Sequence, residues 1–199
     1  MGLQLAVGIG VALALVLLVF LVVVTYNNVV SLQRRCQRAW ANIDVVLKQR
    51  HDQLPNLVSA VRGVMAFEAQ VLEDVTRARA AYEPEAPIHD QAVVSEQTSS
   101  AVRSLFATVE TYPELKSHEN VMALQEEIER LETLIARRRE LFNNQVYQYN
   151  VSITTLPGAL VRPLFGWKEV EMFSADEHER ERPPREWQSV ESPRESIDR

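Results

Sequence analysis

The sequence predicts an all-α protein: an N-terminal transmembrane helix followed by an up-and-down antiparallel four-helix bundle. The first observation behind this prediction is an uncharged apolar run from Leu3 to Val24. The second is that apolar residues recur every three or four positions through most of the remaining chain, which is helical spacing rather than strand alternation. We divide the chain into an anchor (1–25), a helical bundle domain (26–167) and a charged, proline-containing tail (168–199) that we expect to be mostly disordered.

The apolar run is long enough to cross a bilayer. A helix from Leu3 to Val24 would reach roughly 33 Å at about 1.5 Å per residue, which matches a hydrocarbon core of about 30 Å. A cleaved signal peptide is disfavoured, because no basic residue precedes the run and no small-residue cleavage site closes it. We therefore expect a permanent single-pass anchor.

Charges flanking the anchor predict its orientation. No charged side chain precedes it, and the first basic residues after it are Arg34, Arg35 and Arg38. The positive-inside rule then places the C-terminal domain in the cytosol of an inner (plasma) membrane protein, with the N-terminus outside.

Periodicity after the anchor indicates four helices. The first apolar stripe passes through Pro55, which removes a helix hydrogen bond and disfavours helical geometry at Leu54. Either the helix kinks there or it breaks near His51-Asp52, and we favour a break capped by Asp52. The second helix then ends near Tyr82, a third runs from about 91 to 111, and a fourth runs from about Ser117 to 155 and is closed by Pro157-Gly158. Short connections predict antiparallel neighbours.

Composition excludes several classes of site. The net charge of −6 and the absence of a basic stripe argue against a nucleic-acid partner. The single cysteine, Cys36, excludes an intramolecular disulfide and a cysteine-ligated zinc site. It is either a palmitoylated juxtamembrane thiol or, as we favour, a small residue on a buried helix face. The four histidines lack metal-ligand spacing, so we expect no metal, cofactor or catalytic residue.

Several blocks of the sequence resemble the LemA family of bacterial membrane proteins. The anchor followed by Tyr26-Asn27-Asn28 looks like the start of that family. Further matching blocks, in the family's order, are Trp40, Ile43-Asp44, Arg50-His51-Asp52, Leu54-Pro55-Asn56-Leu57-Val58, Tyr112-Pro113-Glu114-Leu115-Lys116, Glu119-Asn120, Glu132, Arg139, Phe142-Asn143, Tyr149-Asn150, Pro157 and Leu164-Phe165-Gly166. The resemblance implies a four-helix soluble domain. It implies little biochemistry, since the family has no established general activity, although some members are associated with magnetosome membrane formation. Trp167, Ser174 and Trp187 depart from the family pattern, so any function of the tail is the least transferable.

Two surfaces are candidate sites. The polar group Arg50, His51, Asp52 and Asn56 could bind an anion or a partner if a helix break exposes backbone N–H groups there, although the same residues could simply cap the break. The apolar residues Leu164, Phe165 and Trp167 would lie near the bilayer if the last helix of an up-and-down bundle returns to the anchor's side. Alternatively, this segment folds over the bundle end as a lid. The Arg137-Arg138-Arg139 run could meet lipid headgroups, but nearby acids favour a solvated, ion-paired face.

We therefore expect a non-enzymatic, membrane-anchored scaffold or membrane-organising protein whose partners are the lipid bilayer and an unidentified protein. The alternative is an accessory subunit of a membrane-bound enzyme or protease complex. Wide apolar stripes could also support a homo-oligomer.

Overall fold

A computed structural model describes residues 2–63, 65, 68–116 and 118–175, and within them every regular element is a helix. The all-α prediction is confirmed for this part of the chain, whereas the four-helix bundle stays a prediction. The described helices are α1 (Gly2–Arg62), α2 (Ala69–Ala80), α3 (Ile88–Val109), α4 (Pro113–Lys116), α5 (Glu119–Thr154) and α6 (Gly158–Phe165). The short helices α4 and α6 are not part of the sequence prediction, and Ser117, the expected cap of the last long helix, lies outside the described residues.

Helix α1 is a single helix of 61 residues that joins the apolar run to the folded domain without a linker. Its first part is long and apolar enough to cross a membrane, by length and composition, and no residue of this apolar part is buried inside the structure. Packing begins at Val22, and Val29, about two turns later, is fully buried. The domain therefore starts where the apolar run ends.

The predicted break near His51-Asp52 is wrong, because α1 continues through Pro55 to Arg62. Proline leaves the His51 carbonyl without the N–H that residue 55 would otherwise supply. The Nε–H of Arg79 on α2 donates to that carbonyl at 3.4 Å. Leu54 and Leu57, on either side of the proline, are fully packed in the core. Tertiary packing and a donor from another helix thus compensate for the local cost of proline, so the helix does not end.

Helices α1 and α5 form the main packing pair of the domain. They run antiparallel: Trp40 contacts Phe142, the Arg138 guanidinium donates to the Asn42 carbonyl, and Arg50 pairs with Glu132. Helix α2 packs on α3 and on the end of α1, and α6 packs on α5 and α1. This divides the core into a cluster near the apolar run, centred on Ile43, Phe142 and Tyr149, and a distal cluster centred on Leu57, Leu105 and Ile128.

Residues 168–175, which the sequence assigns to a disordered tail, lie against the helices; we call them the docked segment. Phe173 is 2 % exposed, and Val170 and Met172 pack against the same core cluster. The composition of the whole tail did not reveal these apolar positions, because charged residues flank them. The remaining part of the predicted tail, 176–199, lies outside the described residues.

Candidate functional site

Helix α6 carries a row of exposed leucines. Leu160 and Leu164 are 72 % and 74 % exposed, and they are four residues apart on α6, so they lie along one side of this helix. Leu156, in the turn before α6, is 73 % exposed. Gly158 and Val161 on the opposite side are buried against the domain. We call these three leucines the leucine ridge. Leu164 was a sequence candidate, whereas Leu156, which lies in a turn outside the helix, was missed.

A close backbone approach holds α6 against α5. A Cβ at Gly158 would collide with the backbone carbonyl of Ser152, so only glycine permits this contact. At its other end, α6 stops at Gly166, whose φ of 65° is the left-handed conformation that terminates helices. The Nε–H of Arg162 then donates to the Trp167 carbonyl at 3.1 Å, which fixes the chain leaving the helix. These contacts fix the position of α6, and therefore that of the leucines it carries.

Three aromatic rings connect α6 to the end of the apolar run. Tyr26 of α1 lies 4.8 Å from Phe165 and 6.1 Å from Trp167, measured between ring centroids. Phe165 is 44 % exposed, whereas Trp167 is 9 % exposed. Of the three residues expected at a lipid interface, Leu164 and Phe165 thus lie on the surface, and Trp167 lies inside, beneath the other rings. Tyr26 follows Val24 by two residues, so this cluster marks the level at which the apolar run ends.

Arg50 is the centre of a buried polar network. Its guanidinium donates to Glu132 Oε1 at 2.7 Å, to Ser99 Oγ at 2.8 Å and to Ser95 Oγ at 3.0 Å. Ser99 in turn donates to the other carboxylate oxygen of Glu132 at 2.6 Å. Arg50 is 3 % exposed, so this network joins α1, α3 and α5 within the core. A buried guanidinium demands such partners, because an unpaired charge there is strongly unfavourable.

The four residues of the predicted polar site do not come together. Arg50 turns into the core, while Asp52 and Asn56 are exposed, and the Asn56 amide donates to Gln53 one turn back. Because α1 is unbroken, it exposes no free N–H groups at this point. The sequence could not indicate that Arg50 pairs with Ser95, Ser99 and Glu132, because these residues lie 45 to 82 positions away.

His51 and Tyr82 form a smaller contact beside the network. Their rings lie 5.0 Å apart, and the Tyr82 hydroxyl lies 3.3 Å from an Asp44 oxygen as a hydrogen-bond donor. Burial, followed by the charge of Arg79, lowers the pKa of His51 below its usual value. Nδ1 of His51 has no hydrogen-bond partner among the described residues. Burial and the Asp44 carboxylate raise the pKa of Tyr82 to about 12. Both side chains are therefore held in their neutral forms at neutral pH.

A cavity of about 160 Å³ opens between α3 and α5 above the network. Glu132 reaches it from the Arg50 pair, and Arg103, Arg139 and Glu96 stand around it. Arg103 is paired with Glu96 at 3.2 Å. Within the described residues no cluster of three or more histidine, cysteine, aspartate or glutamate side chains could hold a metal ion. The absence of a metal, a cofactor and catalytic residues stays a prediction.

Cys36 lies on the buried face of α1 and is 4 % exposed. Burial raises the pKa of its thiol, which keeps the sulfur protonated. Of the two interpretations of this residue, the buried position favours a packing role over acylation.

Comparison with protein-family models places residues 39–186 in the LemA family. The chain belongs to the LemA family. It is also similar to the magnetosome protein MamQ of Magnetospirillum gryphiswaldense, with 35 % identity over 74 residues, or 37 % of this chain. That match spans 27 % of the length of MamQ, so the chain covers only about a quarter of this relative. The matched LemA range contains α3, α5, α6, the docked segment and the part of α1 that carries Arg50.

Proposed function

We propose that this LemA family protein is a non-enzymatic, single-pass membrane protein that acts as a scaffold or membrane-organising element, with its helical domain on the cytosolic face. The observation that carries the proposal is the position of the leucine ridge. Two of its three leucines lie on α6, and Phe165 at the end of that helix contacts Tyr26, where the apolar run of α1 ends. Large apolar side chains exposed together at that level are favoured by contact with a bilayer interface and disfavoured by water.

The domain would be held at the membrane by two contacts with lipid. The apolar run of α1 would cross the bilayer, and the leucine ridge with Phe165 would enter the interface beside it. Because α1 continues into the domain without a linker, two contacts with lipid would fix its orientation relative to the membrane plane. The long helices would then form the expected up-and-down bundle, projecting its distal end towards partners. Exposed arginines at 34, 35 and 38 support the cytosolic orientation.

Similarity to a relative that bears the name magnetosome protein also supports a role at a membrane. The alternative function, an accessory subunit of a membrane-bound enzyme or protease complex, would use the same anchored geometry. It predicts a stoichiometric partner that co-purifies in mild detergent.

The lipid contact can be tested with a chain that lacks residues 1–21. We expect this protein to float with liposomes, and the double variant Leu160→Ser/Leu164→Ser to lose binding by about tenfold or more, because burying a leucine contributes about 1.5–3 kcal/mol and about 1.4 kcal/mol is tenfold. The matched control is Met122→Ser/Leu141→Ser, which replaces two exposed apolar residues of α5 away from α6. Equal flotation of both variants and the parent would contradict the proposal.

Orientation needs a separate measurement. Protease added to inverted membrane vesicles should digest the domain of the full-length protein, since the cytosolic face is then outside. Digestion only in right-side-out spheroplasts would reverse the assignment.

A further inference from the structure

Charge is divided unevenly along the helical domain. The end beside the apolar run is formed by residues 25–43 of α1 and by residues 137–173, which include the last part of α5 and all of α6. This end holds eight arginines and lysines against three glutamates. Residues 44–136 instead hold sixteen acidic residues against eight basic ones. A chain with a net charge of −6 therefore has a basic end next to its apolar run.

Arg34, Arg35 and Arg38 form an exposed surface on α1, and we call these three residues the basic face. The side of the helix that packs in the core is marked by residues seven positions apart: Val29, Cys36 and Ile43. Between the apolar run and Asp44, which is the first acidic residue of the chain, every charged side chain of α1 belongs to the basic face. This stretch of helix is therefore purely cationic on its exposed side.

The basic face has no anionic partner within the described residues. Six ion pairs occur there, and none includes Arg34, Arg35 or Arg38. Arg38 lies three residues after Arg35 and four after Arg34, which are the spacings at which like charges on a helix repel each other. An anion from outside the chain would relieve this repulsion.

The height of the basic face along α1 indicates where such an anion would be found. At about 1.5 Å per residue, Arg34 lies about 12 Å beyond Tyr26, and Arg38 lies about 18 Å beyond it. The headgroup layer outside the hydrocarbon core is about 5–7 Å thick on each side. Helical side chains point back towards the N-terminus, so the guanidinium groups extend towards the apolar run. At about 0.1 M salt the field of a charged surface extends about 10 Å further, which reaches the basic face.

We propose that the basic face binds anionic phospholipid headgroups around the anchor, so that the protein selects anionic over zwitterionic lipid. Guanidinium groups suit this role, because they donate to phosphate oxygens in pairs. This selectivity depends on the proposed function, since the arginines meet headgroups only when the domain stands at a bilayer. It adds a lipid class to the leucine ridge, whose apolar side chains do not distinguish headgroup charge.

The acidic remainder of the domain would strengthen the effect. Residues 44–136 carry a net negative charge, so an anionic surface that attracts the basic face repels them. The two forces together favour one orientation, in which the basic end faces the membrane and the distal core cluster is held away from it. Neither force depends on a particular contact, and both weaken as salt is added.

Lipid selection by the full-length protein tests the assignment. The protein is equilibrated in mild detergent with equal amounts of phosphatidylglycerol and phosphatidylcholine, and bound lipids are counted by native mass spectrometry. We expect the parent to hold about fivefold more phosphatidylglycerol or better, since a basic residue near an anionic surface contributes a factor of about five. Arg34→Gln/Arg35→Gln/Arg38→Gln should lose this preference while keeping the helical content of the parent by circular dichroism. A preference retained in the triple variant would overturn the proposal.

The matched control removes the same charge elsewhere. Arg77→Gln/Arg103→Gln/Arg130→Gln replaces three arginines of residues 44–136 whose side chains are 63 %, 65 % and 55 % exposed. This control should keep the preference for phosphatidylglycerol. Equal losses in the two triple variants would show a response to net charge alone, and would overturn the basic face as the site.

Vesicle flotation separates this selectivity from the proposed function. The chain that lacks residues 1–21 floats with vesicles of phosphatidylcholine alone or with about one third phosphatidylglycerol. The leucine-ridge variant should bind both kinds more weakly, whereas the variant of the basic face should lose only the additional binding to anionic vesicles. About 1 M salt, at a screening length of about 3 Å, should remove the same increment from the parent. Stronger competition by inorganic phosphate than by chloride of equal ionic strength would assign the face to a soluble anion and overturn the lipid as its ligand.

Discussion

The Arg50 network and the leucine ridge are opposite exceptions to the rule that apolar groups are inside and charges outside. Arg50 is a charged residue at 3 % exposure, and the three leucines are apolar residues at 72–74 % exposure. The network finds its compensation within the chain, through Glu132, Ser95 and Ser99. The ridge finds none among the described residues. A buried charge with partners in the same chain indicates a role in stability, whereas a group of exposed apolar side chains indicates contact with another molecule or a membrane.

The difference separates structural from functional roles on physical grounds. Substitutions in the network should change the free energy of unfolding, whereas substitutions in the ridge should change binding to lipid. A substitution at Gly158 should change both stability and lipid binding, because this glycine allows α6 to approach α5 and so determines where the leucine ridge lies. The free energy of unfolding is measured by thermal or urea unfolding of the purified protein, followed by circular dichroism.

The largest effect is expected for Glu132→Ala, which leaves the Arg50 guanidinium buried without its carboxylate. The loss should be about 3 kcal/mol, the lower part of the range for breaking a buried pair, since the Glu132 side chain is 27 % exposed. The double variant Arg50→Leu/Glu132→Leu should recover most of it, because no charge is then left unpaired. Equal destabilisation by the single and double variants would show that packing, rather than the buried charge, dominates.

Gly158→Ala should be the next in size, at about 2 kcal/mol, because the added methyl group meets a backbone carbonyl that cannot move aside cheaply. It should also weaken liposome binding by the chain lacking residues 1–21, since α6 must shift away from α5. Gly63→Ala is the matched control, as a Cβ there meets no atom within 4 Å. Unchanged stability in Gly158→Ala would contradict the close approach of the two helices.

A smaller effect is expected from pH. Since burial lowers the pKa of His51 in the folded state, the unfolded chain takes up a proton first as the pH falls below about 6.5. Stability is therefore complete above that pH and declines as the pH falls towards the folded-state value. His51→Gln should flatten this part of the profile, because the residue whose pKa is lowered is then absent. A steeper profile in His51→Gln would contradict a lowered pKa of His51 in the folded state.

The smallest change in stability is expected at the leucine ridge. Leu160→Ser/Leu164→Ser should alter the unfolding free energy in lipid-free solution by no more than about 0.5 kcal/mol per site, as for other exposed positions. This variant should instead reduce binding to liposomes. A large destabilisation without lipid would mean that the leucines pack within the protein. The leucine ridge would then have a structural role, like the Arg50 network.

Local patterns in the sequence predict much of the fold. The apolar run, the helical class and the approximate bounds of α3 and α5 follow from residue spacing alone, since periodicity is a property of neighbouring residues. The same reasoning failed at Pro55, where the local preference to end a helix was overridden by packing of Leu54 and Leu57 and by a donor from Arg79. It also failed at Phe173, whose burial depends on Trp40, more than a hundred residues earlier.

The sequence by itself thus determined that this protein has a long apolar N-terminal helix, a helical domain and membership of the LemA family. Only the tertiary structure decided that Arg50 is an internal group, that the leucine ridge stands beside Tyr26, and that two asparagines of α5 hold the docked segment. The physical reason is one of range. Helix formation and apolar runs are read from residues a few positions apart, whereas each of these sites joins side chains from helices far apart in the chain, whose meeting depends on how the helices pack.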